Sequence, residues 1–401
     1  MSLSALGNIW NIVSEIDLNG LKREAERQFT ILIAGGEEAP ARMLAERLSE
    51  EPGKAGVHPW MVLQSLPLPV EPRDLSQYNL ALLVTGNLEM TPVETTTLQR
   101  LHDARVPVVV VVVNEGASTQ VGAELARRYE AARVVLRPTP DAQSIQARLI
   151  PAILRAAPEK LRLALARQLP PLRAALSREI IEGASRANAI YSASTGVAQV
   201  VPVLNLPFAA ADVIVLTKNQ LVMAYKIALL AGKQGDPRDI MGEVVSVVGG
   251  GLLFRQAARE LVGLIPVLGI VPKVAVAYAG TLVIGRTVHL WATKGQKLTT
   301  NEVRRFYQEA LERGRAVAER TVERVRQERT ALAGGERRPW WRRVLPRRAP
   351  RALPAPTSGL SGAELEVPVP SEAAGTELAL ANSKPGLWQR LRRRLPFRRA
   401  T

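Results

Sequence analysis

Val108-Val-Val-Val-Val-Val113 is six valines in a row, and Leu80-Ala-Leu-Leu-Val84 stands about one helix length before it. Branching at Cβ stiffens χ1 and favours extended chain. Neither run alternates with polar residues, so both read as strands buried on both faces of a parallel sheet. Working outward, Phe29–Ala34 (FTILIA) is a third apolar run, ending at Gly35-Gly36 and followed by a helical pattern with Met43, Leu44 and Leu48. Trp60–Leu63 and Arg133–Leu136 read as short strands. Helical patterns fill the gaps at Pro92–Ala104, Ala117–Tyr129 and Ala142–Ala156. Strand and helix alternate, which predicts a small α/β domain over residues 28–157 with a mostly parallel sheet.

After Pro158 the strand signals stop. Leu161–Leu169, Leu172–Ala193, Phe208–Ala231, Gly242–Leu264 and Lys273–Lys294 are helix-length apolar segments, which predicts an all-α, small-residue-rich domain over residues 158–298. The segment from Phe208 is apolar nearly all round except for a stripe of Asp212, Asn219 and Lys226, which predicts a helix buried in protein or in lipid. Thr299-x-x-Glu302 is a capping box opening a long charged helix over 299–335. Its seam of Val303, Tyr307, Ala310, Gly314 and Val317 fits docking along another helix. At the other end, Leu3, Leu6, Ile9, Trp10, Val13 and Ile16 give an amphipathic helix that Lys22–Arg27 continues in charged form, residues 1–27 in all. It carries no basic n-region and is not expected to be an export signal.

The chain of 401 residues carries 53 Lys and Arg against 37 Asp and Glu, a formal charge of +16, with no cysteine. Disulfide scaffolds, thiolate zinc sites and cysteine nucleophiles are therefore excluded. Only His58, His102 and His289 could supply imidazole, far apart in sequence. No H-E-x-x-H or G-x-S-x-G motif occurs. Asp212 and Asp239 read as stripe or turn residues, and His289 as a satisfied core or interface histidine. No catalytic residue, metal or cofactor is expected.

Residues 336–401 hold 14 Lys and Arg against 5 Glu, net +9, and read as a disordered basic tail. Two related modules sit in it, Trp340-Trp341-Arg342-Arg343-Val-Leu-Pro-Arg-Arg-Ala and Trp388-Gln-Arg-Leu391-Arg392-Arg393-Arg394-Leu395-Pro-Phe-Arg-Arg-Ala. The flexible, weakly acidic linker 352–383 separates them. Trp388, Leu391 and Leu395 share one helical face, with arginines elsewhere around it. Trp favours the headgroup boundary and Arg an anionic leaflet, so these residues are the expected contacts with an anionic membrane surface. Phosphate backbones attract the same arginines, so nucleic acid is an alternative partner.

A strand ending in glycine before a helix raises the question of a phosphate loop, G-x-x-x-x-G-K-[ST]. From Gly35 the chain reads Gly-Gly-Glu-Glu-Ala-Pro-Ala-Arg: Pro40 lacks an N–H, Ala41 stands for Lys and Arg42 for the hydroxyl residue, while Glu37 and Glu38 add negative charge. Over Phe29–Ala157 the chain resembles an Era-type GTPase domain. That family reads guanine with Asn-Lys-x-Asp after a buried strand, and the matching place here is Asn114-Glu115-Gly116-Ala117. Its Asp-x-x-Gly motif would fall at Gln64-Ser65-Leu66-Pro67, and only Pro52–Val57 stands where a first switch loop belongs. The resemblance implies a GTPase-like shell without its chemistry.

Leu261–Gly285 has Lys273 as its sole charge and is long enough to span a bilayer, but Lys273 falls in its middle and Pro266 and Pro272 interrupt it. Ala187–Ala211 is uncharged too, diluted by Asn188, Gln199, Asn205, Pro202 and Pro207. Hydropathy leaves a membrane pass and a tight bundle both open, and the favoured reading is a compact bundle at or partly in the membrane. Leu169-Pro170, Ala187-Asn188-Ala189, Ile265-Pro266-Val-Leu-Gly269, Gly280 and Gly285-Arg286 resemble a bacterial domain of unknown function, number 697. That domain occurs behind Era-like GTPase domains. The resemblance implies architecture and membrane association, and no reaction. The expected function is thus a non-enzymatic, membrane-associated scaffold or regulatory protein on the cytoplasmic side. The alternatives are an unconventional GTPase and a nucleic-acid-binding protein.

Overall fold

The computed structural model describes residues 3–333, apart from 52, 54–55, 69–74, 115–119, 199–206 and 250–269. In chain order the elements are α1 (Leu3–Ser14), α2 (Leu18–Ala25), β1 (Ile31–Gly35), α3 (Glu38–Ser49), β2 (Met61–Ser65), β3 (Leu80–Thr85), α4 (Pro92–Asp103), β4 (Val108–Val113), α5 (Gln120–Arg128) and β5 (Ala132–Leu136). A turn at Ala142–Ser144 and a π-helical segment at Ile145–Leu149 lead into α6 (Ile150–Ala156). Then come α7 (Glu159–Gln168), α8 (Pro170–Ala198), α9 (Pro207–Leu230), α10 (Pro237–Gly249), α11 (Ile270–Lys294) and α12 (Thr300–Ala333).

The five strands form one all-parallel sheet in the order β2-β1-β3-β4-β5. Every residue of β1, β3 and β4 is buried, as their unalternated sequences require. Successive side chains nonetheless face opposite ways. Leu32, Ala34, Leu83, Val110 and Val112 pack against Leu98 and Leu101 of α4 and Ala126 of α5. Ile31, Ile33, Leu82, Val109 and Val111 face the other way, onto Leu44 and Leu48 of α3 and Ile150 and Ile153 of α6. This second core does not stop at Pro158. It runs on through Leu165, Leu172, Tyr225, Met241, Val274 and Ile284, and the described residues all belong to one compact unit.

Two local expectations are corrected. The amphipathic start is two helices, because the Asp17 side chain accepts from the Gly20 N–H at 2.8 Å and caps a new helix there. The Ala142–Ala156 helix contains the π segment. Of the apolar segment 261–285, residues 261–269 lie outside the described residues, and α11 from Ile270 has Pro272 and Lys273 near its start. A proline is tolerated there because the N–H it lacks would have no partner inside the helix.

α11 is the central helix of the bundle. An unbroken run from Val274 to Ala279 is buried, as is almost all of the chain to Val288, against α8, α9, α10 and α12. The seam of α12 is where its spacing puts it: Tyr307, Ala310, Gly314, Ala318, Val322 and Val325 are buried on one face. Gly314 lets α12 close on α11, for a methyl group there would meet the Ala275 carbonyl oxygen at 2.7 Å. Gly285 meets α8 similarly, for a methyl there would lie 2.6 Å from Cγ1 and 2.8 Å from Cγ2 of Ile181, whose branched side chain is stiff in a helix.

Gly314→Ala should therefore destabilise the protein, because overpacking of about 1–3 kcal/mol outweighs the ~1 kcal/mol of helix propensity that alanine regains. Gly285→Ala should destabilise it as well. Denaturant midpoints of the two variants, both below that of the unaltered chain, check this.

Candidate functional site

In a doubly wound sheet, ligands bind beyond the carboxyl ends of the strands where the strand order reverses, which for the order 2-1-3-4-5 is between β1 and β3. Gly35 ends β1 against β3, where a methyl group would sit 3.0 Å from the Val84 carbonyl oxygen. Beyond it the chain turns into α3, whose N-cap is Glu37, with no side-chain hydrogen bond to the helix N-terminus. The Glu37 carboxylate instead lies over Gly86, just past β3: a methyl group on Gly86 would be 3.7 Å from Glu37 Oε1. Pro40 removes a donor from the first turn of α3. Arg42 turns back to Glu38, its Nη2 donating to Glu38 Oε1 at 2.6 Å. That hydrogen bond, with the attendant charge, raises the Arg42 pKa.

The neighbouring strand ends are tied to one another. Asn114, the one residue that matches the guanine-reading motif, donates its side-chain N–H to the Gly86 carbonyl at 2.6 Å. The Leu66 N–H reaches back to the Gly35 carbonyl at 3.1 Å. A cleft of about 510 Å³ opens beside α3, lined by Glu38, Arg42, Gln64, Ser65, Leu66 and Pro67. Glu115 and Ala117 lie outside the described residues, as do Asp212's side chain and the membrane-contact candidates Trp340, Trp341, Arg342, Arg343, Trp388, Leu391, Arg392, Arg393, Arg394 and Leu395. Among the described residues no group of three or more His, Asp or Glu is placed to hold a metal ion.

His289 is a correction of detail. Its Nδ1 is buried with no hydrogen-bond partner, and burial, with Lys294 and Arg178 nearby, lowers its pKa. A polar network inside the bundle was not foreseen. Asn188 of α8, fully buried, donates to Thr281 of α11 at 2.9 Å and accepts from Asn219 of α9 at 2.8 Å. Gln220 also donates to Thr281, at 3.1 Å. In sequence only the stripe containing Asn219 hinted at it. Satisfied polar groups of this kind fix the register of three helices that small apolar residues alone would leave free to slide.

Compared with protein-family models, with curated proteins and with solved structures, the chain finds no match in any of the three.

Two buried tyrosines set an alkaline limit. Burial first, then Asp236 and Glu26, push Tyr225 up to about 12. Burial and a 3.0 Å hydrogen bond to Glu182 do the same for Tyr278. Unfolded tyrosine ionises near 10.0, so the stabilising difference is intact below that pH and is lost as pH rises toward about 12. Urea midpoints should fall across that window, and fall less steeply in a Tyr225→Phe/Tyr278→Phe variant.

Proposed function

We propose that this chain is a non-enzymatic scaffold or regulatory protein, built on a GTPase-like α/β domain that holds no nucleotide and carried at an anionic membrane surface. The observation that carries the reading is the Glu37 carboxylate over Gly86, in the crevice where a phosphate would rest. At the effective dielectric of a protein surface, two like charges about 4 Å apart repel by about 4 kcal/mol, comparable with one or two charge-assisted hydrogen bonds to phosphate. Pro40 and the Arg42–Glu38 pair support the same reading, since the first turn of α3 lacks a donor and the nearby cation is already engaged.

Membrane attachment is assigned to the two Trp/Arg modules. α11 has the length and hydropathy of a span, but 72% of its most apolar window is buried inside the bundle, and its apolar surface is already covered by protein. Each module is a weak surface anchor, and joining two by a flexible linker raises the effective concentration of the second.

Titration calorimetry with magnesium–GTP should give no saturable heat. Micromolar affinity would contradict the reading and favour the unconventional GTPase. Replacing Trp340, Trp341 and Trp388 together by alanine should weaken binding to phosphatidylglycerol vesicles more than removing the arginines of one module. A chain ending at Gly335 that binds those vesicles as tightly as the full chain would remove the tail from the account. Preference for oligonucleotides over vesicles in competition would favour nucleic acid instead.

A further inference from the structure

Away from the strand ends, a second cleft of about 630 Å³ opens where α2, α7 and α8 meet the turn between α9 and α10. Its charged lining is Lys22, Arg167 and Arg173 against Glu26 and Glu51, a net of one positive charge. Arg167 Nη1 donates to the carbonyls of Leu229 at 2.5 Å and Lys233 at 3.0 Å, closing the end of α9. Arg173 donates from Nη2 to the Arg167 carbonyl at 2.8 Å and from Nε to Ala166 at 3.3 Å, closing the end of α7. A guanidinium has five N–H donors, so these bonds use only part of each fork.

Both guanidinium groups are half-buried, and desolvation lowers their pKa. Among the described residues neither guanidinium forms an ion pair, while Lys22 pairs with Glu26 at 3.9 Å and donates one N–H to the Gly235 carbonyl at 2.9 Å. Buried cations are ordinarily paired, because leaving them unpaired is costly. Capping of helix ends explains the backbone bonds of the two arginines. It does not explain the open volume.

We propose that this cleft binds a small phosphate-bearing ligand, with Arg167, Arg173 and Lys22 taking the phosphoryl group and Glu26 and Glu51 accepting from hydroxyl or amino groups on its remainder. Two guanidinium groups and an ammonium exceed what the two oxygens of a carboxylate can occupy, whereas a phosphate monoester offers three strong acceptors and a charge near −2. The volume lies in the usual range for small-molecule sites, about 300–1,000 Å³, and a bare phosphate ion would not fill it. Glu51 comes from the connection between α3 and β2 and the other groups from the helices, so a bound ligand bridges the two parts of the common core.

The test is calorimetry on the full chain with inorganic phosphate and with glycerol 3-phosphate, beside sedimentation with phosphatidic acid vesicles. Glycerol 3-phosphate should bind more tightly than inorganic phosphate, and Arg173→Gln should weaken binding about tenfold, the usual scale for one charge-assisted contact. Lys22→Gln should weaken it without altering the fold, which covers the case in which Arg173→Gln does not fold. An Arg173→Gln or Lys22→Gln effect seen only with phosphatidic acid vesicles would identify the phosphate as a lipid headgroup. Absence of saturable binding in every arm, or binding that Arg173→Gln and Lys22→Gln leave unchanged, would overturn the proposal.

Discussion

The burial of α11 is the constraint on which the rest of the structure depends. A helix whose residues from Val274 to Val288 are almost all apolar or small cannot be left in water, and four other helices cover it here. Coverage on that scale needs close approach, which Gly314 and Gly285 permit, and the buried hydrogen bonds of Asn188 and Thr281 hold the helices in one register. It also fixes the character of α12. Only one face of that helix is needed to cover Ala275 and its neighbours, so the remainder is left to carry charge.

The sheet draws on the same burial. One face is served locally, by α4 and α5. The other is covered by α3 and α6, and the cluster those helices belong to continues into α7, α8 and the bundle. Pro158 thus marks a change of secondary structure, while the apolar contacts pass across it without a gap. Such sharing favours cooperative unfolding of sheet and bundle, since neither can leave without exposing the surface of the other.

Legibility in the sequence followed the range of the forces involved. The valines of β4 and the leucines of β3 announce buried parallel strands because they have no alternative use, and the Thr299–Glu302 box and the seam of α12 are set within a few residues of chain. The break at Asp17 was written in equally local terms, but the apolar spacing runs straight through it and hides it. The polar network of Asn188, Asn219, Gln220 and Thr281 and the cleft of Lys22, Arg167 and Arg173 join residues that no spacing rule relates. The departures of Gly35–Arg42 from a phosphate-loop pattern were legible in the sequence, yet the placement of Glu37 over Gly86 needed the fold.

The account holds that α11 is buried by protein and belongs to the same core as the sheet. Amide hydrogen exchange of the full chain in buffer without lipid or detergent measures this directly. The prediction is that amides of Val274–Val288 exchange as slowly as those of Val108–Val113, both opening only with global unfolding. Rapid exchange in α11 that becomes slow only when lipid is added, with β4 protected throughout, would contradict it.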